Sequence, residues 1–218
     1  MKIAIATSGR FHALDLAREL MACGHEVTFF SDLLPARVRR FGLSPSCART
    51  FFPFTWPFVW AARKARDPWR RDRWDRMGTL VRERLLLARL PSCKVFISMA
   101  GLFPNAGKRV QTRGGRWIVE RGSRHVLSQK EILASGPHSG NGRETGFAVS
   151  PFYEARNLVE YQAADCISIP ARHVAQSFLE HGIALEKLFI NPYGVDLTMF
   201  PPTPFPSNPV PVILYVGT

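Results

Sequence analysis

The sequence predicts an α/β fold: a Rossmann-like parallel sheet flanked by helices. Two observations carry that prediction. Short strand-like runs alternate with helical segments, and the runs are apolar throughout rather than every second residue, as strands covered on both faces must be. The chain also opens on a strand, a glycine turn, an amphipathic helix and a second strand, which is the opening unit of a doubly wound sheet.

Lys2 to Thr7 is a compact isoleucine-rich run and reads as the first buried strand. Ser8-Gly9-Arg10-Phe11 turns out of it. Ala13, Leu16, Ala17, Leu20 and Met21 then recur at helical spacing, predicting one apolar helix face. Gly24 closes that helix, and Glu26 to Ser31 is the second strand. A third strand is expected within Ala48 to Phe54, ahead of an aromatic stretch that reaches Trp60. Asp67-Pro68 starts a helix, with a capping carboxylate and proline in the first turn; it runs to Leu90 with Met77, Leu80, Val81 and Leu85 expected on the buried face. Lys94 to Met99 and Arg116 to Glu120 read as further strands, with helices near Pro104 to Val110 and His125 to Ala134. Ser135 to Ser150, rich in Gly, Ser and Pro, is a loop. Helix Pro151 to Ala164, strand Cys166 to Ile169, helix Ala171 to His181 and strand Lys187 to Asn191 follow. Pro201 to Pro211 holds six prolines and reads as a stiff linker, and Val212 to Thr218 as one more strand.

The composition excludes some classes of protein. A hydrophobic content of 46% with 21% charged residues excludes wholesale disorder. A formal charge of +12 favours polyanionic partners: anionic lipid, phosphorylated ligands or nucleic acid. Cys23, Cys47, Cys93 and Cys166 have no CxxC spacing, which argues against zinc and against a disulfide scaffold. Cys23 and Cys166, in apolar elements, are expected to be small buried hydrophobes. The run Ile3 to Ala6 is too short for a signal peptide, and no stretch approaches the ~20 apolar residues of a membrane span. The expectation is a cytoplasmic protein, in one reading peripheral on the inner face of the membrane.

In open parallel sheets, ligands bind beyond the carboxyl ends of the strands. Ser8 to His12, Gly101 to Pro104 and Glu120 to His125 occupy those positions. Gly9 lets backbone approach a ligand, and the next helix N-terminus favours an anion. The turn lacks G-x-G-x-x-G, so Asp32 is a weak counterpart of a dinucleotide-site acid. Glu120-Arg121-Gly122-Ser123-Arg124-His125 gathers two guanidiniums, a hydroxyl and an imidazole where a strand becomes a helix. The plainer alternative is that Ser123 caps the helix and the arginines are solvated. Trp56 to Arg76 interleaves tryptophans with basic residues. Three readings stand: an anionic membrane surface centred on Trp69, Arg70, Arg71, Arg73 and Trp74, ordinary aromatic packing, or, least favoured, nucleic acid.

The last third of the chain adds a longer pattern. It runs Arg156-x3-Glu160-Tyr161-x2-Ala164-Asp165-Cys166-Ile167-Ser168-Ile169-Pro170, then Phe178-x3-Gly182, Lys187 and Tyr193-Gly194-Val195-Asp196-x3-Phe200. This resembles the end of the N-terminal half of retaining GT-B glycosyltransferases of the family-4 group. The resemblance is strong from Tyr153 to Phe200, fair from Met1 to Ser31 and weak between Ser44 and Pro91. It departs from the family at Ala171, where a capping serine often stands, and at Thr218, where a phosphate-binding arginine often stands.

The resemblance implies a three-part organisation: an acceptor-side domain over 1–200, a linker over 201–211, and the first strand of a donor-binding domain over 212–218. It further implies sugar transfer from a nucleotide sugar to a glycan or lipid-linked acceptor, with retention and with no metal or other cofactor. By position His125 is the candidate catalytic residue near the transferred sugar. Gly9, Arg10, Phe11, Arg121, Ser123 and Arg124 are candidates for acceptor or anion binding, and Gly217 for donor binding. The family's paired donor-binding glutamates would lie beyond Thr218, so residues 1–218 alone are expected not to turn over. Two other classes stay open at this point: a non-catalytic module for an anionic ligand, and a basic protein that associates with membranes or nucleic acid.

Overall fold

A computed structural model describes residues 1–135, 149–194, 197 and 201. The strands are β1 (Lys2–Ala6), β2 (Glu26–Ser31), β3 (Ala48–Thr50), β4 (Val95–Met99), β5 (Arg116–Glu120), β6 (Cys166–Ile169) and β7 (Leu188–Ile190). They form one sheet in the order β3-β2-β1-β4-β5-β6-β7, parallel at every pairing. Ile3 lies between Val27 and Val95 across the register, so the apolar runs stack into a continuous core.

The helices are α1 (Ala13–Ala22), α2 (Pro35–Arg40), α3 (Phe52–Lys64), α4 (Pro68–Arg89), α5 (Pro104–Thr112), α6 (Val126–Ser135), α7 (Pro151–Ala163) and α8 (Arg172–Leu179). Right-handed crossovers put α1 and α2 on one face and the later crossover helices on the other, because the chain moves left from β1 and then returns rightward. Two cores follow. Ile3, Ile5, Leu14, Val27, Phe29 and Val38 fill the first. Ala4, Phe30, Phe96, Trp117, Val119 and Phe178 belong to the larger second one.

Local signals explain most boundaries. Gly24 takes φ 81° after α1 and its N–H bonds Met21 O, a left-handed helix end that favours glycine. Asp67 Oδ1 accepts the N–H groups of Trp69 and Arg70 at 2.7 and 3.1 Å, capping α4 as expected. Ala171, which cannot cap through its side chain, precedes α8 with no side-chain cap.

The third strand takes only Ala48–Thr50 of the expected range, and the aromatic stretch after it forms α3, carrying Pro57 inside the helix. Two expectations are corrected. The inward face of α4 is only partly the one predicted: Thr79, Arg82, Glu83 and Leu86 are buried, Val81 and Leu85 are half-buried with Leu85 against the core, and Met77 and Leu80 are exposed. Periodicity missed this because two of the inward positions are charged and are paid for by partners. Arg82 pairs with Asp32 through Nε at 2.9 Å and Nη2 at 2.5 Å, and Glu83 pairs with Arg156 at 3.0 Å. Finally, Cys23 is exposed at the end of α1 and Cys166 is only partly buried, because each sits at the edge of its element.

Candidate functional site

The chain runs leftward from β1 to β3 and resumes at β4 on the other side of β1, so the sheet's switch point lies between β1 and β4. A cleft of about 330 Å³ opens there, lined by Phe11, His12, Met99, Ala100, Glu120, Arg121, Gly122, Ser123 and Tyr193. These come from the carboxyl ends of β1, β4 and β5 and the segment after β7, where open α/β sheets place ligands.

Gly9 N–H bonds Thr7 Oγ1 at 3.3 Å, tightening the turn after β1. Phe11 follows with φ 38°, in the left-handed region that a bulky side chain rarely adopts. Such a conformation costs about 1–3 kcal/mol and persists where the surroundings impose it. Here it sets the Phe11 ring at the cleft and His12 at the start of α1. Glu120, the last residue of β5, is buried, and its Oε1 lies 2.8 Å from His12 Nε2. The two groups meet at ion-pair distance, but His12 Nε2 is buried without a partner in hydrogen-bond alignment. Tyr193 packs its ring 4.5 Å from that of His12. Burial, then the Glu120 charge, raises the Tyr193 hydroxyl above its ordinary value, so it is a neutral donor.

Arg121 crosses the floor of the cleft in a fixed pose. Its guanidinium donates to Arg124 O at 3.1 Å, Asn157 Oδ1 at 3.3 Å and Gln129 Oε1 at 2.5 Å. Ser123 Oγ reaches the same Gln129 oxygen at 3.5 Å. Of the expected anion-binding residues, Phe11, Arg121 and Ser123 therefore line the cleft. Gly9 supports the turn from behind. Arg10 is exposed and stacks over Phe41 at 3.9 Å, and Arg124 is exposed outside the lining. Gly217 lies outside the described residues, as do the segments 202–218 and 136–148.

His125 is not part of the lining. It is 2% exposed, with its ring 4.3 Å from His181, 5.0 Å from Tyr161 and 5.1 Å from Phe178. Its N–H donates to Ser177 Oγ at 2.9 Å. Burial, then the charges of His181 and Arg121, lowers its pKa to about 4, so it is neutral at pH 7. His125 is thus packed under α8, and the imidazole that lines the cleft is that of His12.

The motif Arg156-x3-Glu160 builds the wall beside the site. Glu160 is fully buried and accepts the N–H groups of Gly101 and, at 3.0 Å, Phe103. Burial pushes its carboxyl up to about 8, with those two donors and Arg156 pulling the other way. Arg156 donates to Gly101 O at 2.9 Å, Leu102 O at 2.5 Å and Glu83 Oε2 at 3.0 Å. Gly101 has φ 83°, and a side chain there would run into Asn157 Nδ2. The turn after β4, which carries Met99 and Ala100 into the cleft, is thus clamped from α7. Asp165 is structural in the same sense, accepting Trp117 N–H, Gln111 Nε2 and Arg116 Nη1 at 2.8–2.9 Å. Asp32 is held by Arg82 and Thr55, which leaves the dinucleotide reading without its acid.

No protein-family model matches the chain, and no curated protein matches it. Among solved structures, a sucrose-phosphate synthase from Thermosynechococcus elongatus superposes with a TM-score of 0.55 at 14% identity, over 93% of this chain. The fold is GT-B-like. A second structure of that synthase aligns over 92% of this chain and 93% of its own, at 14% identity and a TM-score of 0.46. The chain spans half the length of the first of these. At this identity the likeness shows fold alone.

Sequence reasoning placed the loops of the site but not its central pair. The available signal was a carboxylate ending an otherwise apolar strand, Glu120, together with a histidine closing the turn of another, His12.

Proposed function

We propose that this chain is the acceptor-side part of a glycosyltransferase that moves a sugar from a nucleotide sugar to a hydroxyl-bearing acceptor held in the cleft. The observation that carries this reading is the His12–Glu120 pair at the switch point of a GT-B-like sheet. Glu120 lies against one nitrogen of the His12 ring, which leaves the other free to hold an acceptor hydroxyl and take its proton. Arg121 and the Tyr193 hydroxyl supply donors for the acceptor's other oxygens or an attached phosphate. Phe11 offers an apolar face for a sugar ring. The donor site would be supplied by a second domain.

In the transfer, the bond from the anomeric carbon to the phosphate oxygen breaks and a bond to the acceptor oxygen forms. The resemblance implies retention, in which the acceptor proton leaves with the departing phosphate and His12 only positions the hydroxyl. A histidine–carboxylate pair at the acceptor favours the second reading, direct displacement with inversion, in which His12 takes the proton. The anomeric configuration of the product, read by NMR, separates the two.

The experiment is a screen of nucleotide sugars and acceptors with the protein as its native cell produces it, repeated with His12→Asn and Glu120→Gln. The expected result is transfer by the native protein, reduced about 10²–10⁴-fold in kcat by His12→Asn if it acts as base. Transfer that is unchanged in both variants would remove the pair from the mechanism. Nucleotide-sugar binding without transfer in any arm would favour a binding module.

A further inference from the structure

Helices α3 and α4 form an antiparallel hairpin, with Arg89 near the end of α4 lying over Phe54 near the start of α3. Its outward surface is unusual for a protein that meets only water. On α3, Pro53, Trp56, Pro57, Trp60, Arg63 and Lys64 are all exposed and fall at i, i+3, i+4 and i+7 spacing, one stripe of the helix. Trp56 is 45% exposed, Trp60 53% and Trp69 64%. On α4, Trp69, Arg73, Met77 and Leu80 continue an exposed stripe. Trp74 differs from its neighbours: it turns inward against Phe58, at 6.3 Å.

The tip between the helices is basic. Arg63, Lys64, Arg66, Arg70, Arg71 and Arg73 are all exposed, and among the described residues none forms a salt bridge. Asp67 is occupied in capping α4, and Asp72 pairs with Arg76. Lys64 and Arg73 each lie 5.8 Å over an exposed indole, Trp60 and Trp69.

The hairpin also has a direction. α4 runs toward the amino end of β4, and Arg82 sits level with Asp32 just past the carboxyl end of β2. Residues 68–81 therefore lie beyond the carboxyl edge of the sheet, about 20 Å of helix at 1.5 Å per residue. That is the edge at which the cleft opens.

We propose that the tip of this hairpin docks on an anionic membrane surface, with Trp60 and Trp69 in the interfacial layer and the six cations among the headgroups. Indoles sit at the headgroup level, and a basic cluster adds electrostatic attraction to anionic lipid. The exposed indoles are covered by neighbouring cations on the outer faces of two helices, an amphipathic arrangement that suits the headgroup layer and sets lipid above nucleic acid. Docking this way turns the mouth of the cleft toward the membrane. The proposal stands on the hairpin alone and does not depend on sugar transfer. Among the described residues no helix is long and apolar enough to cross a membrane, so the contact is at the surface.

The test is co-sedimentation of the purified full chain with vesicles of phosphatidylcholine alone and of equal parts phosphatidylcholine and phosphatidylglycerol, with tryptophan emission recorded. Expected are binding to the anionic vesicles only, a blue shift, and weakening by salt. Replacing Arg70, Arg71 and Arg73 together with Ala should weaken binding about hundredfold, at ~1 kcal/mol per basic residue. Trp60→Ser with Trp69→Ser should weaken binding at least tenfold and abolish the blue shift, whereas Phe at both positions should retain most of the binding. These residues are exposed, so circular dichroism should show the fold unchanged in every variant. No binding, equal binding to neutral vesicles, insensitivity to the substitutions, or tighter binding to a single-stranded oligonucleotide than to the anionic vesicles would overturn the proposal.

Discussion

Arg156→Met tests whether the clamp from α7 holds the turn beside the cleft. Arg156 is 11% exposed, and its guanidinium serves Gly101 O, Leu102 O and Glu83 Oε2 at 2.5–3.0 Å. Methionine keeps much of the apolar stem and removes all three donors. Hydrogen bonds to charged groups contribute about 1.5–3 kcal/mol each but do not add fully. The larger effect is on Glu83, which is buried and would keep only the Asn105 N–H at 2.8 Å. Breaking a buried pair by removing one partner costs about 3–5 kcal/mol, and we expect a loss in that range. At roughly 2 kcal/mol per molar of denaturant, the urea midpoint should fall by about 2 M. Arg156→Lys should recover less than half of the loss, because one ammonium cannot span three acceptors. Adding Glu83→Gln to Arg156→Met should restore part of the stability by removing the stranded charge. A loss below about 1 kcal/mol, or full rescue by lysine, would refute the reasoning and leave Glu160 as the sole support of the turn.

Two further perturbations probe the packing that aims β5 at the cleft. Gly107→Ala should gain up to ~1 kcal/mol of helix propensity, yet its new carbon would fall inside the fully buried Trp117 ring, which is fixed by a 2.9 Å bond from Nε1 to Ser98 Oγ. Overpacking of about 1–3 kcal/mol or more should win; thermal unfolding would show it, and pairing the change with Trp117→Leu should cost less than the sum of the two. His125 carries a pH dependence of definite sign. Its folded pKa of about 4 lies below the ordinary 6.5, so the neutral ring's stabilisation is complete above about pH 6.5 and is lost as pH falls toward 4. The full loss is at most about 3 kcal/mol, with about 2 of it gone by roughly pH 5. Denaturant midpoints of the native protein at pH 7.5 and 5 should differ more than those of His125→Phe; equal differences would mean that the ring is not the source.

How much of this was legible in the sequence depended on whether a signal was local. The apolar runs Lys2–Ala6, Glu26–Ser31 and Cys166–Ile169 were found within a residue of their observed ends, because a strand buried on both faces must be apolar along its length. Asp67 and Gly24 marked helix ends through bonds made within a few residues. By contrast, only half of the inward face of α4 was foreseen, since Arg82 and Glu83 are tolerable inside only through Asp32 and Arg156, which are far away in the chain. His125 has the residue type and strand-end position of a site residue, yet α8 folds over it and makes it part of the core. His12 and Glu120 stand 108 positions apart in the chain, and only the β1-β4-β5 order brings them to 2.8 Å. The sequence alone determined the sheet, the helix ends and the loops that form the cleft, because those depend on patterning and near-neighbour bonds. Which charges are buried, which imidazole faces the cleft and which tryptophans face outward were decided by tertiary structure, because each depends on partners that sequence distance hides.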